Sequence, residues 1–487
     1  MSVINRKKLT IKKEIAVLLF IIFAGGILRL VHLGSNSLWN DELDSWWRSS
    51  STCFSTVINK VISSDMHPPG YHSFLYLIER YIGDSEYVLR FPSLAAGILA
   101  IYLIFLVGRL LYSSREGLIS AAFMAFLWAP IYYSQEARMY SFLLLFSLIT
   151  VYFWIKIIQS TVLNVKIVSA YIISAISVSY LHYFGLFFVV LQCIAALLIS
   201  KNEMRRFNAI LCFYAAIFLA FVPWLPAMIY QLKNNLHEVN WIVSPSPLSI
   251  FDYFRFVFNR SDALLVFVAA FYFFWFFKAV RQVRNKKNKI LAFRSTLICL
   301  AWLILPIAGA YIFSKLFVPI FNNRNLIVSL PAAYLLFARA ITQIFGRLKT
   351  QVIIVVLLII TFFAQLVYAK EYYAKPQKEQ IREAVNEIVI KQTEYKDSLI
   401  IGYAWHEDFL NYYFKRLGSQ RRIDINVGCK KDLPLIKKVI EENNNKFIWF
   451  IFAHKIPDKE LIDYLSKRLK LIKHEQFLGS GLLLFER

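Results

Sequence analysis

Apolar residues in this chain gather in long unbroken runs up to residue 369, and in short alternating ones beyond it. The long runs lie near 14–33, 90–111, 117–134, 138–158, 167–182, 184–200, 208–229, 261–279, 295–314, 326–344 and 351–369. Each is close to the roughly 20 mainly apolar residues that carry a helix across a bilayer. The eleven runs therefore predict about eleven transmembrane helices, with 167–182 and 184–200 the shortest and sharp turns at 134–138 and 182–184. Past residue 370 charged positions become frequent. There "DSLIIGYAW", "RRIDINVG", "KFIWFIFAH" and "GLLLFER" have strand character, and "HEDFLNYYFKRLG", "DLPLIKKVIEENNN" and "PDKELIDYLSKRLK" have helical character. Strand-helix alternation of this kind predicts a small α/β domain around one sheet. The expected fold class is thus a polytopic α-helical membrane protein, residues 1–369, with a C-terminal α/β domain, residues 370–487.

Composition agrees: 58% of the 487 residues are hydrophobic and 18% charged, too apolar for a soluble chain. A net charge of +24 would suggest nucleic acid in a soluble protein. Here the basic residues sit largely in short connections between apolar runs, and no nucleic-acid motif is visible, so orientation in a membrane is the better reading. With the N-terminus in the cytoplasm, "KKLTIKK", "GRLLYSSR", "SKNEMRR", "KAVRQVRNKKNKILAFR" and "GRLK" all fall inside, the fourth carrying seven Lys or Arg. The loop 34–89, the turns at "SQEARMY" and "LHYFG", the loop 230–260, "SKLFVPIFNNRN" and the tail fall outside. The basic head "MSVINRKK" resembles a signal peptide, but its apolar stretch is long and lacks a small-residue cleavage site, so a retained anchor is expected. Five scattered cysteines, Cys53, Cys193, Cys212, Cys299 and Cys429, argue against a disulfide framework or a zinc site.

The polar residues that need explaining collect on the outer side. "LWNDELDSWW" sets Asp41, Glu42 and Asp44 among tryptophans just past the first run, near Arg29. "DMHPPGYHSF" adds His67, Tyr71 and His72 around a rigid Pro-Pro pair. "LRFPSLAAG" places Arg90 where the second run begins, and "YYSQEARMYS" places Gln135, Glu136, Arg138 and Tyr140 in a tight turn. "SYLHYFG" adds His182 and Tyr183, and "VPIFNNRNLIVSLP" adds Arg324. Singly each has a plain alternative. A terminal arginine snorkels to headgroups, Glu136 and Arg138 pair with each other, His182 packs at the interface, and Asp44 is solvated. Together they put acids, arginines and histidines from five segments at one depth, which is costly unless they serve a site. Arginine forks suit phosphate, a carboxylate suits a general base, and fixed cations suit a phosphate leaving group. No phosphate-binding glycine loop is present, which fits a donor whose phosphate lies in the membrane.

In order along the chain, "WNDELDSWW", "HPPGYHSF", "LRFPSLAAG", "SQEARMYSF", "LHYFGLF", "VPWLPAMIYQL" and "FNNRNLIVSLP" resemble the GT-C superfamily of membrane glycosyltransferases, in particular glycosyltransferase family 39. That branch holds protein O-mannosyltransferases and aminoarabinose transferases, and the likeness covers roughly residues 14–340. The resemblance implies a GT-C fold in the cell membrane, a polyprenyl-phosphate-sugar donor, and an inverting displacement on the outer face. It implies Asp41 as catalytic base, with Glu42 positioning acceptor or base. It implies a donor-phosphate role for Arg90 and Arg324, with Arg29 also at the site. Substrate contacts are expected from His67, Tyr71, Gln135, Glu136, Arg138, Tyr140, His182 and Tyr183. A divalent metal, to which His67 and His182 would contribute, is left open. The partners implied are the lipid donor, surrounding membrane lipids, and a glycan, lipid or protein acceptor. Where aminoarabinose transferases carry Glu-Lys-Pro, this chain has His67-Pro68-Pro69, nearer the mannosyltransferase-like members. The competing reading is a transporter or flippase of lipid-linked sugars. Transporters, however, place their key charges near the midplane on paired repeats, and here the charges sit at one edge.

Overall fold

The computed structural model describes residues 3–235, 241–283, 289–428 and 433–487. Of the basic connection near 280–294, residues 284–288 lie outside the described residues, as does Cys429. The helices of the apolar part begin with α1 (Val3–Leu30), α2 (Asn40–Ser49), α3 (Phe54–Ser64), α4 (Gly70–Tyr81) and α5 (Glu86–Leu111). They continue with α6 (Ser114–Phe126), α7 (Trp128–Ser134), α8 (Tyr140–Gln159), α9 (Val165–Leu181), α10 (Tyr183–Ser200), α11 (Met204–Phe221) and α12 (Leu225–Asn234). After these come α13 (Pro247–Val257), α14 (Asp262–Val283), α15 (Lys289–Leu316), α16 (Leu330–Ile344) and α17 (Leu348–Ala364). Every predicted apolar run falls on a helix. Among the described residues, seven helices are long and apolar enough to cross a membrane, or nine if each of two bent pairs is one span. The shorter α9 has 17 residues.

The two bent pairs are joined by one side chain. The run 117–134 breaks at Leu127, and α6 and α7 meet at 59°. Helices α13 and α14 meet at 95°, where Asn259 and Arg260 take positive φ of 59° and 53°. Asparagine tolerates that backbone best among ordinary residues. The Asn259 carboxamide also binds the first break: its Oδ1 accepts the Trp128 N–H at 2.7 Å, and its Nδ2 donates to Gln365 Oε1 at 3.2 Å. One polar side chain thus satisfies backbone freed by the bend of another helix.

Polar contacts also join the apolar helices. Tyr171 on α9 donates to Gln192 Oε1 on α10 at 2.8 Å and shares a 2.8 Å hydrogen bond with Tyr214 on α11. Trp154 on α8 donates to the Gln192 carbonyl at 3.0 Å. All four side chains are buried, which is where interhelical hydrogen bonds have no water to compete with. Gly108 and Gly117 let α5 and α6 approach backbone to backbone, since a Cβ at Gly108 would meet the Gly117 Cα at 2.7 Å.

Contacts divide the chain into two compact units. The first comprises residues 1–31, 52–74 and 90–371, and the second residues 32–51, 75–89 and 372–487. The second unit is built on a five-stranded sheet of order β2-β1-β3-β5-β4. Its strands are β1 (Leu399–Tyr403), β2 (Ile425–Asn426), β3 (Phe447–Ala453), β4 (Lys470–Phe477) and β5 (Ser480–Glu486). β1 pairs in parallel with β2 and β3, while β3–β5 and β5–β4 are antiparallel. The helices are α18 (Ile381–Ile390), α19 (Glu407–Arg416), α20 (Leu433–Glu442) and α21 (Lys459–Arg468). Ile436, Val439, Ile440, Leu461 and Leu465 of α20 and α21 pack with Ile401, Phe450 and Phe485 on one face of the sheet. α18 buries Ile381, Ala384, Val385 and Ile388, a spacing that makes one apolar stripe, and packs on β3, β4 and β5. The central strand β3 is buried almost throughout, as a strand covered on both sides must be. Strand and helix segments expected beyond 370 are all present. β4 is an addition: its residues are mostly exposed, and Lys470, Lys473, His474, Glu475 and Gln476 interrupt its apolar positions, so it carries no apolar run to reveal it.

Candidate active site

Within the first unit, the segments predicted to carry chemistry meet through side chains. The loop before α4 is organised by Asp65. Its Oδ1 accepts the His67 ring N–H at 2.7 Å and the Met66 N–H at 2.6 Å, and its Oδ2 accepts from His72 Nε2 at 2.8 Å. His72 is fully buried and Asp65 nearly so, which makes these charge-assisted contacts strong. Burial pushes the His67 imidazole below its ordinary pKa, Asp65 pulls it up, and Arg138 and His72 push it down. Helix α12 fastens this loop from behind. The Gln231 amide donates to the carbonyls of Val61 and His67 at 3.0 and 3.1 Å, and Asn235 donates to those of Ile62 and Asp65 at 3.0 and 2.9 Å.

His67 stands edge-on to His182, ring centroids 4.8 Å apart, and Tyr140 lies 6.2 Å from His182. The Arg324 guanidinium sits over Tyr140 at 5.5 Å and over Trp241 at 5.0 Å, within cation–π range. Arg138 and Arg324 both act electrostatically on His182, and Glu136 and Arg324 both act on Tyr133. His67, Glu136, Arg138, Tyr140, His182 and Arg324 therefore form one buried or half-buried cluster of mixed charge and aromatic surface. Arg90 is buried on the second turn of α5. Tyr71 is buried edge-on to His72 and Phe142, at 6.0 and 5.9 Å.

Three expected site residues carry structural contacts. Arg29 donates through Nε to Ser134 Oγ at 3.1 Å, through Nη1 to the Gly25 and Ala125 carbonyls at 2.9 and 3.1 Å, and through Nη2 to the Met124 carbonyl at 2.7 Å. These carbonyls include the last turn of α6, so the cation satisfies a helix C-terminus buried at the break. The Gln135 amide does the same for α1, donating to the carbonyls of Arg29 and Val31 at 2.9 and 2.8 Å. Tyr183 donates its hydroxyl proton to Gln231 Oε1 and accepts from Trp224 Nε1 at 3.1 Å.

The acidic motif belongs to the second unit. Residues 40–49 form α2, with Asp41 and Glu42 in its first turn, where carboxylates favour the positive end of the helix. Glu42 is fully buried and its Oε2 accepts the Trp39 N–H at 3.3 Å, the returning half of a capping arrangement. Asp41 is half-buried. Asp44, expected to be merely solvated, pairs with Arg48 at 2.8 Å along the helix. The tail domain holds α2 in place. Tyr413 of α19 accepts the Leu38 N–H at 2.5 Å, and Tyr412 packs on Trp46 at 4.6 Å. His406 packs on Trp47 at 4.6 Å, and Glu379 Oε2 accepts the Asn40 N–H at 2.9 Å.

Among the described residues, no group of three or more His, Cys, Asp or Glu is disposed to hold a metal ion. None of the four described cysteines is in a disulfide.

Comparison of the whole chain with solved structures decides the architecture. ArnT from Cupriavidus metallidurans, in its apo state, superposes with a TM-score of 0.61 at 10% identity, covering 98% of each chain. The same protein bound to undecaprenyl phosphate matches at 0.60 and 11%, covering 96% of this chain and 97% of that one. The chain has the GT-C glycosyltransferase fold. An archaeal oligosaccharyltransferase, AglB from Archaeoglobus fulgidus, in complex with an inhibitory peptide and a dolichol-phosphate, matches at 0.54 and 12%, covering 90% of this chain and 69% of that one. The family of dolichyl-phosphate-mannose-protein mannosyltransferases matches residues 66–230, about a third of this chain. Comparison by sequence with curated proteins gives no match. The family match begins one residue before His67 and ends one before Gln231, spanning the His67, Gln135–Tyr140 and His182 segments.

Asp65, Gln231 and Asn235 were not among the expected site residues. Asp65 had a readable signal, an acid two residues before one histidine and seven before another in "DMHPPGYH". The amides of Gln231 and Asn235 act on carbonyls some 170 residues away and left no local trace.

Proposed function

We propose that the protein transfers a sugar from a polyprenyl-phosphate-linked donor to an acceptor at the outer face of the cell membrane. The acceptor's nucleophilic atom attacks the anomeric carbon, Asp41 takes its proton, and the bond from that carbon to the phosphate oxygen breaks with inversion. Polyprenyl phosphate leaves with the electron pair. Arg90 and Arg324 stabilise the charge that develops on the phosphate, an effect strongest in a site that excludes water. Glu42, buried and bonded to the turn before α2, positions Asp41. His67, Arg138, Tyr140 and His182 contact the sugar and phosphate, with Tyr71 and Glu136 contributing to the same site. The phosphate role considered for Arg29 passes to the other two arginines, because its fork is engaged on carbonyls of the fold.

The observation that carries this reading is the full-length likeness to a fold seen with undecaprenyl phosphate bound, on a chain whose acids begin an ordered helix. The cytoplasmic N-terminus and external tail follow from the basic connections. The test is Asp41→Asn, which keeps size and helix while removing the base. It is expected to lower transfer from a lipid-phosphate-sugar by about 10²- to 10⁴-fold, the usual contribution of general base catalysis, with donor binding unchanged. Transfer that persists in Asp41→Asn would defeat the assignment.

A further inference from the structure

The tail domain does more than support α2 through packing. Glu379, in the linker before α18, bonds two partners with one carboxylate. Its Oε2 accepts the Asn40 N–H at 2.9 Å and its Oε1 accepts from His454 Nδ1 at 2.7 Å. Its backbone carbonyl accepts from the Ser37 hydroxyl. The linker is in turn fastened to the turn between β4 and β5. Gln380 N–H donates to the Leu478 carbonyl at 2.8 Å, and Ser480 Oγ donates to the Gln380 carbonyl at 2.9 Å. Gly479 in that turn has a φ of 68°, and a Cβ there would fall 2.5 Å from Glu379 Cγ, so both the backbone and the carboxylate require glycine. His454 closes the arrangement from the end of β3. It also holds a positive φ, 69°, and its N–H donates to the Gly479 carbonyl at 2.8 Å. A histidine in that backbone region is uncommon, and such strain persists only where surroundings impose it.

We propose that Glu379 and His454 are positioning residues of the acidic site: Glu379 fixes the first turn of α2, and the His454 imidazolium keeps the neighbouring Asp41 ionised. This rests on the reading of Asp41 as base. A base must be deprotonated before it can accept the nucleophile's proton, and an adjacent cation favours its charged form. Asp41 directly follows Asn40, whose N–H shares the Glu379 carboxylate with His454. The charged groups that act on His454 are Glu379 from the linker, Asp41 from α2, and Lys455 beside it in the chain. The two carboxylates favour its imidazolium and Lys455 opposes it; the hydrogen bond from Glu379 is the largest influence. His454 is partly exposed, so bulk pH reaches it.

The test compares His454→Asn, which suits the positive φ and removes the charge, with His454→Lys, which restores a cation. In the full-length protein, the acid limb of kcat/KM against pH is expected to move upward in His454→Asn by about one unit or less and to return in His454→Lys. A role limited to packing would not distinguish the two. A second arm needs no activity: melting temperatures of wild type, Asp41→Asn, His454→Asn and the double variant form a cycle. Coupling between the two sites is expected at pH 6 and is expected to vanish by pH 9. An unmoved limb together with absent coupling overturns the inference. Persistent transfer in Asp41→Asn with coupling present would instead defeat the base assignment and leave the electrostatic link standing.

Discussion

Asp65 shows how much one side chain can organise at this site. It accepts hydrogen bonds from two histidines, one of them fully buried, and ties both to the loop that presents His67 to His182. Asp65→Ala leaves the His72 ring without its acceptor in a dry environment, at a cost of about 1–3 kcal/mol. The expected result is a lower melting temperature and weakened donor binding, with Asp65→Asn milder because its amide oxygen still accepts. Arg29 is the second test at this scale. A lysine keeps the charge but cannot serve Ser134 and three carbonyls from one planar fork. Arg29→Lys is expected to destabilise the protein by a similar amount while leaving the pH profile of any residual transfer unchanged. A profile that shifted would return Arg29 to the reacting centre.

Among the elements, α2 is the one whose place matters most. Ten residues make a helix too short to persist alone, so its order comes from the contacts around it. Tyr413 bonds the Leu38 N–H two residues before its start, and Tyr412 packs on Trp46 with its ring tilted. Tyr413→Phe removes the acceptor from a buried amide, a loss of about 1–2 kcal/mol localised to the acidic motif. Transfer is expected to fall while the melt of the whole protein moves little; an equal fall in both would mean that α2 is not held this way. The elements also show where a linear reading succeeds. The apolar runs became helices because in lipid a stretch of about twenty mainly apolar residues satisfies its backbone N–H and C=O groups within a helix. The breaks at Leu127 and at Asn259–Arg260 are joined by the Trp128–Asn259 hydrogen bond across 131 positions, which no local pattern shows. The edge strand β4 was missed because its exposed charges, useful against edge-to-edge association, hide its periodicity.

For the molecule as a whole, two outcomes follow. Loss of this chain from its native cell is expected to cause a polyprenyl-phosphate-sugar to build up, with a matching surface glycan depleted; comparison of lipid-linked sugars with and without the chain checks this. The other concerns pH. The Glu379 hydrogen bond holds the His454 imidazole above its ordinary pKa. Its contribution to stability is therefore complete below the unfolded value near 6.5 and is lost as pH rises through the higher folded value. The melting difference between wild type and His454→Asn should be largest near pH 6 and shrink toward pH 9. A difference that grew with pH would contradict the pairing.

Periodicity and hydropathy alone determined that the chain is a helical membrane protein with an appended α/β domain, because burying a backbone in lipid or around a sheet imposes patterns that neighbouring residues must obey. Motif order along the chain also singled out His67, Arg138, Tyr140, His182 and Arg324, which the fold brings into one cluster. Only the tertiary structure decided which polar groups face one another: that Arg29 and Gln135 close helix ends, that Asp65 binds two histidines, and that Glu379 and His454 attend the acidic helix. Those pairings join residues as much as 414 positions apart, Asn40 to His454 through Glu379. A hydrogen bond leaves no mark on the residues between its partners.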